Sequence, residues 1–448
     1  MCFLLVDEEK TFNIDDFFNK FMKMPDVYKD KSVLENYFVP DKLPHRDDQI
    51  KAIAQIMVCV LRSSTSLPSN IFIYGKPGTG KTAVIRHVVR KLAEKCVSSN
   101  IPAPNCIYIN CNSVNSAYRI LANIYNQIDP QNPVPSTGLP KDVLLNRLYD
   151  ILDEKIGDSV CFIILDEIDS IKNKSAKDNL LYILSRMNET LKKSKINIIG
   201  ISNVLNFKEN LDARVCSSLC EEEIVFPAYK ASELYEILKT RISGAFISGI
   251  VSEGAIRLCS ALAAKENGDA RRALSLMRKS GDIIARRGLT KLTEEHIFEA
   301  QNQIDRDRTE IFIKDLPIQQ KAILLSVYLN FKHKKKQDSS SGEIYNTYCE
   351  LLSNSYGLNK LTSRRVSTLV KELDLAGITS SRVVSFGRKG GRTRMIGLKA
   401  KESIIFDCLK NDSRWTGFVD FKPSHTDRSD INVHFGRKYL PLLPQSDP

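Results

Sequence analysis

The 448-residue sequence lacks the features of a membrane or secreted protein. No apolar run approaches the ~20 residues that a membrane-spanning helix requires, and Val160–Leu165 is typical of the longest. The amino terminus turns acidic at Asp7, too early for a secretory signal peptide. These absences favour a chain that works in the cytosol or the nucleus.

The cysteines also lack a pattern, because there are eleven of them and no C-x-x-C pair. The closest pairs, Cys106/Cys111 and Cys216/Cys220, have no histidine at zinc-ligand spacing. We therefore expect reduced, mostly buried thiols in an intracellular protein rather than a metal site.

Positive charge is present in excess, since 65 Lys and Arg against 53 Asp and Glu give a formal net charge of +12. Such an excess favours polyanionic partners, most simply nucleic acid, although it says nothing about fold. The length points to about three domains, enough for a large core without disulfides.

Hydrophobic patterning divides the chain into regions. From Ile71 to Phe226, short buried strands alternate with amphipathic helices, which is typical of a parallel α/β sheet. The strand signal stops after Pro227, and helices dominate to about Asp305. A helical, Lys-rich region then reaches Gly377, and a short β segment rich in Arg and Gly follows it.

A complete phosphate-binding loop of the form G-x-x-x-x-G-K-T lies between the first strand and the helix after it. It consists of Gly75, Lys76, Pro77, Gly78, Thr79, Gly80, Lys81 and Thr82. In this context backbone N–H groups and the helix amino end bind phosphates, Lys81 neutralises the β- and γ-phosphates, and Thr82 ligates Mg²⁺. The alternative is an ordinary glycine-rich turn. The loop predicts ATP and Mg²⁺ as cofactors.

A pair of acids follows the buried strand Phe162–Leu165. Asp166 at the strand's carboxyl end is predicted to hold the Mg²⁺ shell, and Glu167 to polarise the attacking water as a general base. A solvated acidic turn would not explain the continuous apolar strand before the acids. Asp169 has a weaker case, and capping of the next helix is its alternative.

Two further segments resemble those of AAA+ ATPases. The strand Ile198–Ser202 ends in Asn203, which the resemblance assigns as sensor one, in contact with the γ-phosphate and the attacking water. The segment Leu211–Leu219 resembles the one that presents an arginine finger to a neighbouring subunit, with Arg214 as the finger. Alternatively, Arg214 is a surface or structural arginine.

The sequence also contains segments that resemble the lid of such an ATPase. Gly268-Asp-Ala-Arg271-Arg272 resembles the sensor-two helix, with Arg271 contacting the γ-phosphate and Arg272 as the alternative. The resemblance further implies that Tyr229 and Arg241 belong to the nucleotide pocket. Taken alone, they would be interpreted as hinge core and as a charge on a helix face.

Together, residues 35–400 resemble the archaeal replication-initiator family of AAA+ ATPases, which is related to the largest subunit of the origin recognition complex and to the eukaryotic helicase loader. Further markers are Tyr37–Pro40, Leu43–Arg46 and Ile304–Arg308, whereas Cys220 stands where the family has Gly. The resemblance implies that a helix at 115–128 contacts DNA. It favours an archaeal cytoplasm, or a nucleus if the source is eukaryotic.

Independently of any family, residues 343–400 have the pattern of a winged helix. A helix capped by Thr362 or Ser363 carries an apolar stripe from Val366 to Leu373, and its other face is basic and hydroxyl-rich. The predicted major-groove contacts on that face are Arg364, Arg365, Ser367 and Thr368.

A β-hairpin follows, with seven basic residues and no acidic one from Ser381 to Lys401. Its predicted contacts to phosphates or the minor groove are Arg388, Lys389, Arg392 and Arg394. The alternative for such a charge run is a solvated face.

We therefore predict an α/β chain with an AAA+ parallel-sheet ATPase base (1–230), an α-helical lid (231–305), a C-terminal winged-helix DNA-binding domain (306–405) and an extension of unassigned role (406–448). The predicted function is an initiator that binds duplex origin DNA, helps load the replicative helicase and uses slow ATP hydrolysis as its switch. Copies of itself or related initiators are possible partners on DNA.

Two alternatives stay open. One is a winged-helix transcription regulator with an ATPase sensor, which is compatible with nearly every motif. The other is a ring-forming AAA+ motor or remodeller. Its threading version would need an aromatic–apolar–Gly pore loop between Thr82 and Asp166, and the sequence has none there.

Overall fold

The computed structural model describes residues 14–15, 18, 22, 24–62, 67–114, 116–171, 180–219, 221–334, 338–353, 358–385 and 392–424. The chain divides into two compact units, Met1–Ala300 and Gln301–Pro448, each with its own hydrophobic core. Among these residues, no helix is long and apolar enough to cross a membrane. The cysteines that the structure describes are free thiols, and most of them are buried.

The first unit is built on a five-stranded parallel sheet. Its strands are β1 (Asn70–Tyr74), β2 (Asn105–Asn110), β3 (Val160–Asp166), β4 (Lys195–Ser202) and β5 (Glu221–Val225), in the spatial order β2-β3-β4-β1-β5. The predicted parallel α/β sheet is confirmed. β3, at the predicted position of the acid-bearing strand, is buried along its whole length.

Helices cover both faces of this sheet. Ile71 and Ile73 of β1 pack in one cluster, while Phe72 and Tyr74 pack in another. Since successive side chains of a strand point to opposite faces, this alternation is the signature of a sheet buried on both sides. The helices around the sheet are α1 (Asp47–Met57), α2 (Lys81–Ser98), α3 (Ala117–Ile128), α4 (Lys141–Ile151), α5 (Leu180–Thr190) and α6 (Ala213–Leu219).

A helical bundle follows the sheet in sequence. It contains α7 (Ala231–Ala245), α8 (Glu253–Lys265) and α9 (Ala270–Arg287), after which α10 (Glu294–Asp315) begins. Asp269 caps α9 by accepting hydrogen bonds from the N–H groups of Arg271 and Arg272, and Gly288 ends it at φ 65°. These helices form the predicted lid.

An N-terminal strap, residues 24–46, runs along the lid. The backbone N–H groups of Lys29 and Asp30 donate to the carbonyl of Ala245, at 2.9 and 3.2 Å. The Tyr28 hydroxyl donates to the carbonyl of Arg278 and to Asp282, at 2.8 and 2.9 Å. The strap is therefore bound to the lid although it precedes the sheet in sequence.

The second unit is a winged helix, as predicted. Helix α11 (Ile318–His333) is buried over most of its length, and α12 (Ser341–Ser353) and α13 (Ser363–Leu375) pack with it. The strands β6 (Ser339–Ser340), β7 (Thr379–Ser385) and β8 (Arg392–Leu398) form an antiparallel sheet in the order β6-β8-β7. The second predicted helix is capped by Thr362, whose hydroxyl accepts from the Arg365 N–H.

The core of the second unit continues beyond residue 405, where the sequence predicted the winged helix to end. That position lies inside helix α14 (Glu402–Lys410), and residue 305 likewise lies inside α10. Cys408, Leu409, Trp415 and Val419 are buried in the same cluster as the α13 stripe. Residues 408–419 therefore contribute to the core of this unit.

Trp415 is fully buried, so we expect Trp415→Ala to destabilise the second unit by about 3–5 kcal/mol through the cavity that it leaves. Leu375, which is 89% exposed, is the matched control. Leu375→Ala should change stability by less than about 0.5 kcal/mol. Differential scanning calorimetry measures the unfolding temperature of each variant. Equal unfolding temperatures in the two variants would contradict the packing of Trp415.

Candidate nucleotide site and nucleic-acid face

A cavity of about 430 Å³ lies at the carboxyl edge of the parallel sheet. Its walls come from the phosphate loop, the end of β3, the strap at residues 36–44, Tyr229 just before the lid, and lid residues that include Arg241 and Arg271. Because the ends of parallel strands meet at one edge, ligands of open α/β sheets bind there.

The phosphate loop has the backbone that its glycines permit. Gly78 and Gly80 have φ angles of 74° and 89°, in the region that favours glycine. A Cβ on Gly80 would lie 2.8 Å from the Tyr229 hydroxyl, so a side chain would also clash with the cavity wall. Helix α2 begins directly after Gly80, which directs its amino end at the loop.

Lys81 is the centre of the site. Its ammonium group donates to the carbonyls of Gly75 and Lys76 at 2.6 and 2.8 Å, and to Asn203 Oδ1 at 2.8 Å. Burial lowers the pKa of Lys81 to about 8, although the nearby Asp166 favours its charged form. The structure thus brings the predicted phosphate lysine and the predicted sensor-one asparagine into direct contact.

Asp166 is held by several donors at the end of β3. The hydroxyls of Thr82 and Tyr108 both donate to its Oδ2, at 2.8 and 2.6 Å. The N–H of Glu167 donates to Oδ1 at 2.9 Å. Burial, and then the hydrogen bond to Asp166, raise the pKa of Tyr108 to about 12, so Tyr108 is a donor at neutral pH.

The two acids after Asp166 differ in their surroundings. Glu167 has a φ of 54°, a left-handed conformation that is rare for a residue with a side chain, and it lines the cavity. Asp169 accepts from the Ser202 hydroxyl and the Asn203 N–H, both at 2.9 Å. Asp169 therefore positions Asn203, a role that the sequence did not predict.

The donor set fits a magnesium ion bound together with phosphates. Among the described residues, no group of three or more His, Cys, Asp or Glu side chains could hold a metal. Mg²⁺ is usually held by one or two carboxylates plus substrate phosphates and waters, and the Thr82 hydroxyl beside the Asp166 carboxylate offers the protein's part of such a set.

Comparisons with known proteins agree with this architecture. Family models described as an AAA domain, a Cdc6 AAA+ ATPase-type lid domain and a CDC6 C-terminal winged helix domain match residues 64–205, 235–302 and 312–407. An ORC1-type DNA replication protein of Pyrococcus abyssi is 45% identical over 409 residues, which are 91% of this chain and 96% of that protein. A Methanosarcina mazei relative of the same description is 42% identical over 416 residues, 93% and 98% of the two chains.

The chain belongs to the family of ORC1-type DNA replication proteins. The solved structure of Aeropyrum pernix ORC1 protein in complex with DNA is 39% identical with a TM-score of 0.73, and the match covers 87% of this chain and 98% of that one. Cdc6p from Pyrobaculum aerophilum, at 21% identity and a TM-score of 0.53, shares the fold. The resemblance to the replication-initiator family and the predicted fold class are both confirmed.

The lid arginines of this ORC1-type protein have different surroundings. Arg271 is exposed and lines the cavity. Arg272 is buried and forms an ion pair with Glu266 at 3.0 Å. Arg241 lines the cavity, but its guanidinium donates to the backbone carbonyls of strap residues Val33 and Phe38, at 3.1 and 3.0 Å. Burial lowers the pKa of Arg241 to about 10.

Arg214 and Tyr229 also lie in contrasting environments. The Arg214 side chain is 73% exposed and pairs with Asp212 at 3.2 Å, on a surface that a neighbouring molecule can reach. Tyr229 is buried against the cavity, as a pocket residue should be. Its ring stacks on the guanidinium of Arg46 at 3.8 Å.

Arg46 supports the phosphate loop from outside the cavity, and sequence reasoning did not single it out, although it belongs to one of the family markers. It is 2% exposed and donates to the carbonyls of Thr79 and Pro227, at 3.0 and 2.8 Å. One side chain thus joins the strap, the phosphate loop and the start of the lid. An arginine between Pro44 and an amphipathic helix was the available signal, but nothing local shows which carbonyls it would reach.

The basic face of the winged helix is described in part. Arg364, Arg365 and Thr368 of α13 are exposed, and Ser367 is half-buried. Arg392 of β8 is exposed and Arg394 is half-buried. Arg388 and Lys389 lie outside the described residues, as does Asn115 at the start of the predicted DNA-contacting helix. That helix, α3, begins at Ala117.

Lys81 should make nucleotide binding dependent on pH. Its pKa of about 8 means that the free site loses the ammonium charge as pH rises through 8, and the phosphates of a nucleotide bind the charged form. We therefore expect affinity for a fluorescent ADP analogue to fall by up to roughly tenfold per pH unit above about pH 8, with uptake of a proton.

Substitutions at two lysines of the same loop test this. Lys81→Met should weaken binding at every pH and remove the slope. Lys76→Met is the control, since the Lys76 ammonium donates to exposed Asn267 Oδ1 at 3.0 Å and the substitution keeps the backbone carbonyl that accepts from Lys81. It should keep the slope, and a wild-type affinity that is constant across this range would contradict the role of Lys81.

Proposed function

We propose that this chain is an ATP-controlled replication initiator that binds duplex origin DNA and helps load the replicative helicase, with slow ATP hydrolysis as its switch. The observation that carries the proposal is the contact of Lys81 with Asn203 beside the Thr82–Asp166 pair, in a chain that also has a basic winged helix. The Aeropyrum pernix relative, whose structure is that of a complex with DNA, supports the DNA-binding half.

Each residue of the site has a proposed role. Lys81 and the loop N–H groups bind the β- and γ-phosphates, while Thr82 and Asp166 hold Mg²⁺. Held there, Mg²⁺ would supply positive charge to neutralise the transferred phosphoryl group. Glu167 polarises the attacking water, and Asn203, fixed by Asp169, orients it.

The lid completes the proposed site. Arg271 reaches the γ-phosphate from α9, and Arg214 acts in trans on the nucleotide of a neighbouring copy. Tyr229 packs near the adenine, and Arg241 supports the strap that closes the same wall. A ligand that contacts base, strap and lid together favours the conformation in which all contacts are made, which is how ATP and ADP would set different states.

The proposal that the chain binds DNA rests on the charge and shape of the winged helix. Helix α13 presents Arg364, Arg365, Ser367 and Thr368 opposite its buried stripe, as a recognition helix does. Arg388, Lys389, Arg392 and Arg394 of the wing would contact phosphates or the minor groove. The helicase and further copies of this chain are proposed as partners from the family resemblance.

Glu167→Gln should preserve ATP binding and abolish hydrolysis, because the amide keeps the shape of the side chain and cannot accept a proton. Turnover is measured by phosphate release and binding by fluorescence titration. The control Glu189→Gln changes an exposed acid that pairs with Arg186 at 3.4 Å, and it should leave both unchanged. Undiminished turnover in Glu167→Gln would refute the general-base assignment.

Arg365→Ala should weaken binding to duplex DNA and reduce the magnitude of the salt slope by roughly one if the side chain contacts a phosphate. The control Arg257→Ala removes an exposed lid arginine held by Glu253 at 3.3 Å. Footprinting across the source genome with ATP and with ADP then identifies the sites. Protection confined to replication-start regions and sensitive to nucleotide is the expected result.

Two other footprinting results would favour the two alternative functions. Sequence-blind binding with rapid turnover would overturn the initiator proposal and favour a motor. Protection at promoters alone would favour a transcription regulator.

A further inference from the structure

Tyr108 is a half-buried tyrosine in the cavity wall that the proposed chemistry does not use. It lies on β2, paired in register with Ile164 of β3, two residues before Asp166. Its hydroxyl donates to Asp166 Oδ2 at 2.6 Å, a short charge-assisted hydrogen bond. Neither the phosphate-loop pattern nor the acid pair indicates a residue from β2.

The same carboxylate oxygen already has another donor. The Thr82 hydroxyl donates to Asp166 Oδ2 at 2.8 Å, and the Glu167 N–H donates to Oδ1 at 2.9 Å. A carboxylate oxygen offers about two lone-pair positions. With both positions on Oδ2 taken, the position left open is on Oδ1.

Tyr108 is itself held in place from the phosphate-loop helix. The Arg86 guanidinium lies 4.6 Å from the centroid of the Tyr108 ring, within the range of a cation–π contact. Arg86 is four residues after Thr82 on α2, so the two share one face of that helix. Thr82, Asp166, Tyr108 and Arg86 thus form a chain of contacts between α2, β2 and β3, and all four line the cavity.

We propose that Tyr108 is a positioning residue that fixes the Asp166 carboxylate and thereby sets the affinity of the nucleotide site for Mg²⁺. The inference rests on the proposed function, because it assigns Asp166 to the metal. Groups that orient a metal's ligands typically change its affinity by about 10–100-fold when they are removed. Without the phenol, the carboxylate loses one of its two side-chain donors and can rotate.

Tyr108→Phe removes the hydroxyl and keeps the ring on which Arg86 packs. The affinity of the full-length protein for a fluorescent ADP analogue is measured over a series of Mg²⁺ concentrations and in EDTA. We expect the Mg²⁺ concentration for the half-maximal response to rise about tenfold in this variant. Affinity in EDTA should stay at the wild-type value, which also shows that the variant is folded.

Tyr235→Phe is the matched control, since it removes another phenol–carboxylate hydrogen bond, to Glu253 at 2.5 Å on the lid surface. It should match the wild type at every Mg²⁺ concentration. A wild-type Mg²⁺ response in Tyr108→Phe would overturn the proposal, as would an equal loss of affinity with Mg²⁺ and in EDTA. If the nucleotide affinity of the wild-type protein did not depend on Mg²⁺, that result would instead refute the proposed function itself.

Discussion

The buried ammonium group of Lys81 is the interaction on which the site depends. Its acceptors come from the end of β1, through Gly75 and Lys76, and from the residue after β4, through Asn203. Such convergence requires β1 and β4 to be adjacent and parallel, with their carboxyl ends at one level. The sheet order, the apolar strands and the helices on both faces together keep a cation in a place where burial disfavours its charge.

Several of the predicted site residues lie at or after the carboxyl ends of strands. Lys81, Asp166 and Asn203 each follow a recognisable apolar strand, and parallel strands bring such positions together. Arg46 and Tyr108 were missed because their partners are set by tertiary structure: Arg46 reaches the carbonyl of Pro227, 181 positions away. A contact between residues so far apart in sequence leaves no local pattern from which it could be predicted.

In the second unit too, hydrophobic periodicity predicts some of the core residues and misses others. The α13 stripe was legible because a helix repeats its buried face every three to four residues, and its predicted members are buried. Trp415 lies after helix α14, without a repeat to mark its face. Its place in the core becomes visible only when α14 and the chain after it are seen folded against α11.

The strap has a consequence for the order in which the protein is assembled during synthesis. Tyr28 emerges from the ribosome early, whereas its partner Arg278 lies 250 residues further along the chain. At roughly 5–20 residues per second, this leaves the strap without its binding surface for about 10–50 seconds. Val27 and Leu34, both buried in the finished protein, therefore stay in water until the lid has been made. The strap therefore closes the cavity wall late in the synthesis of each molecule.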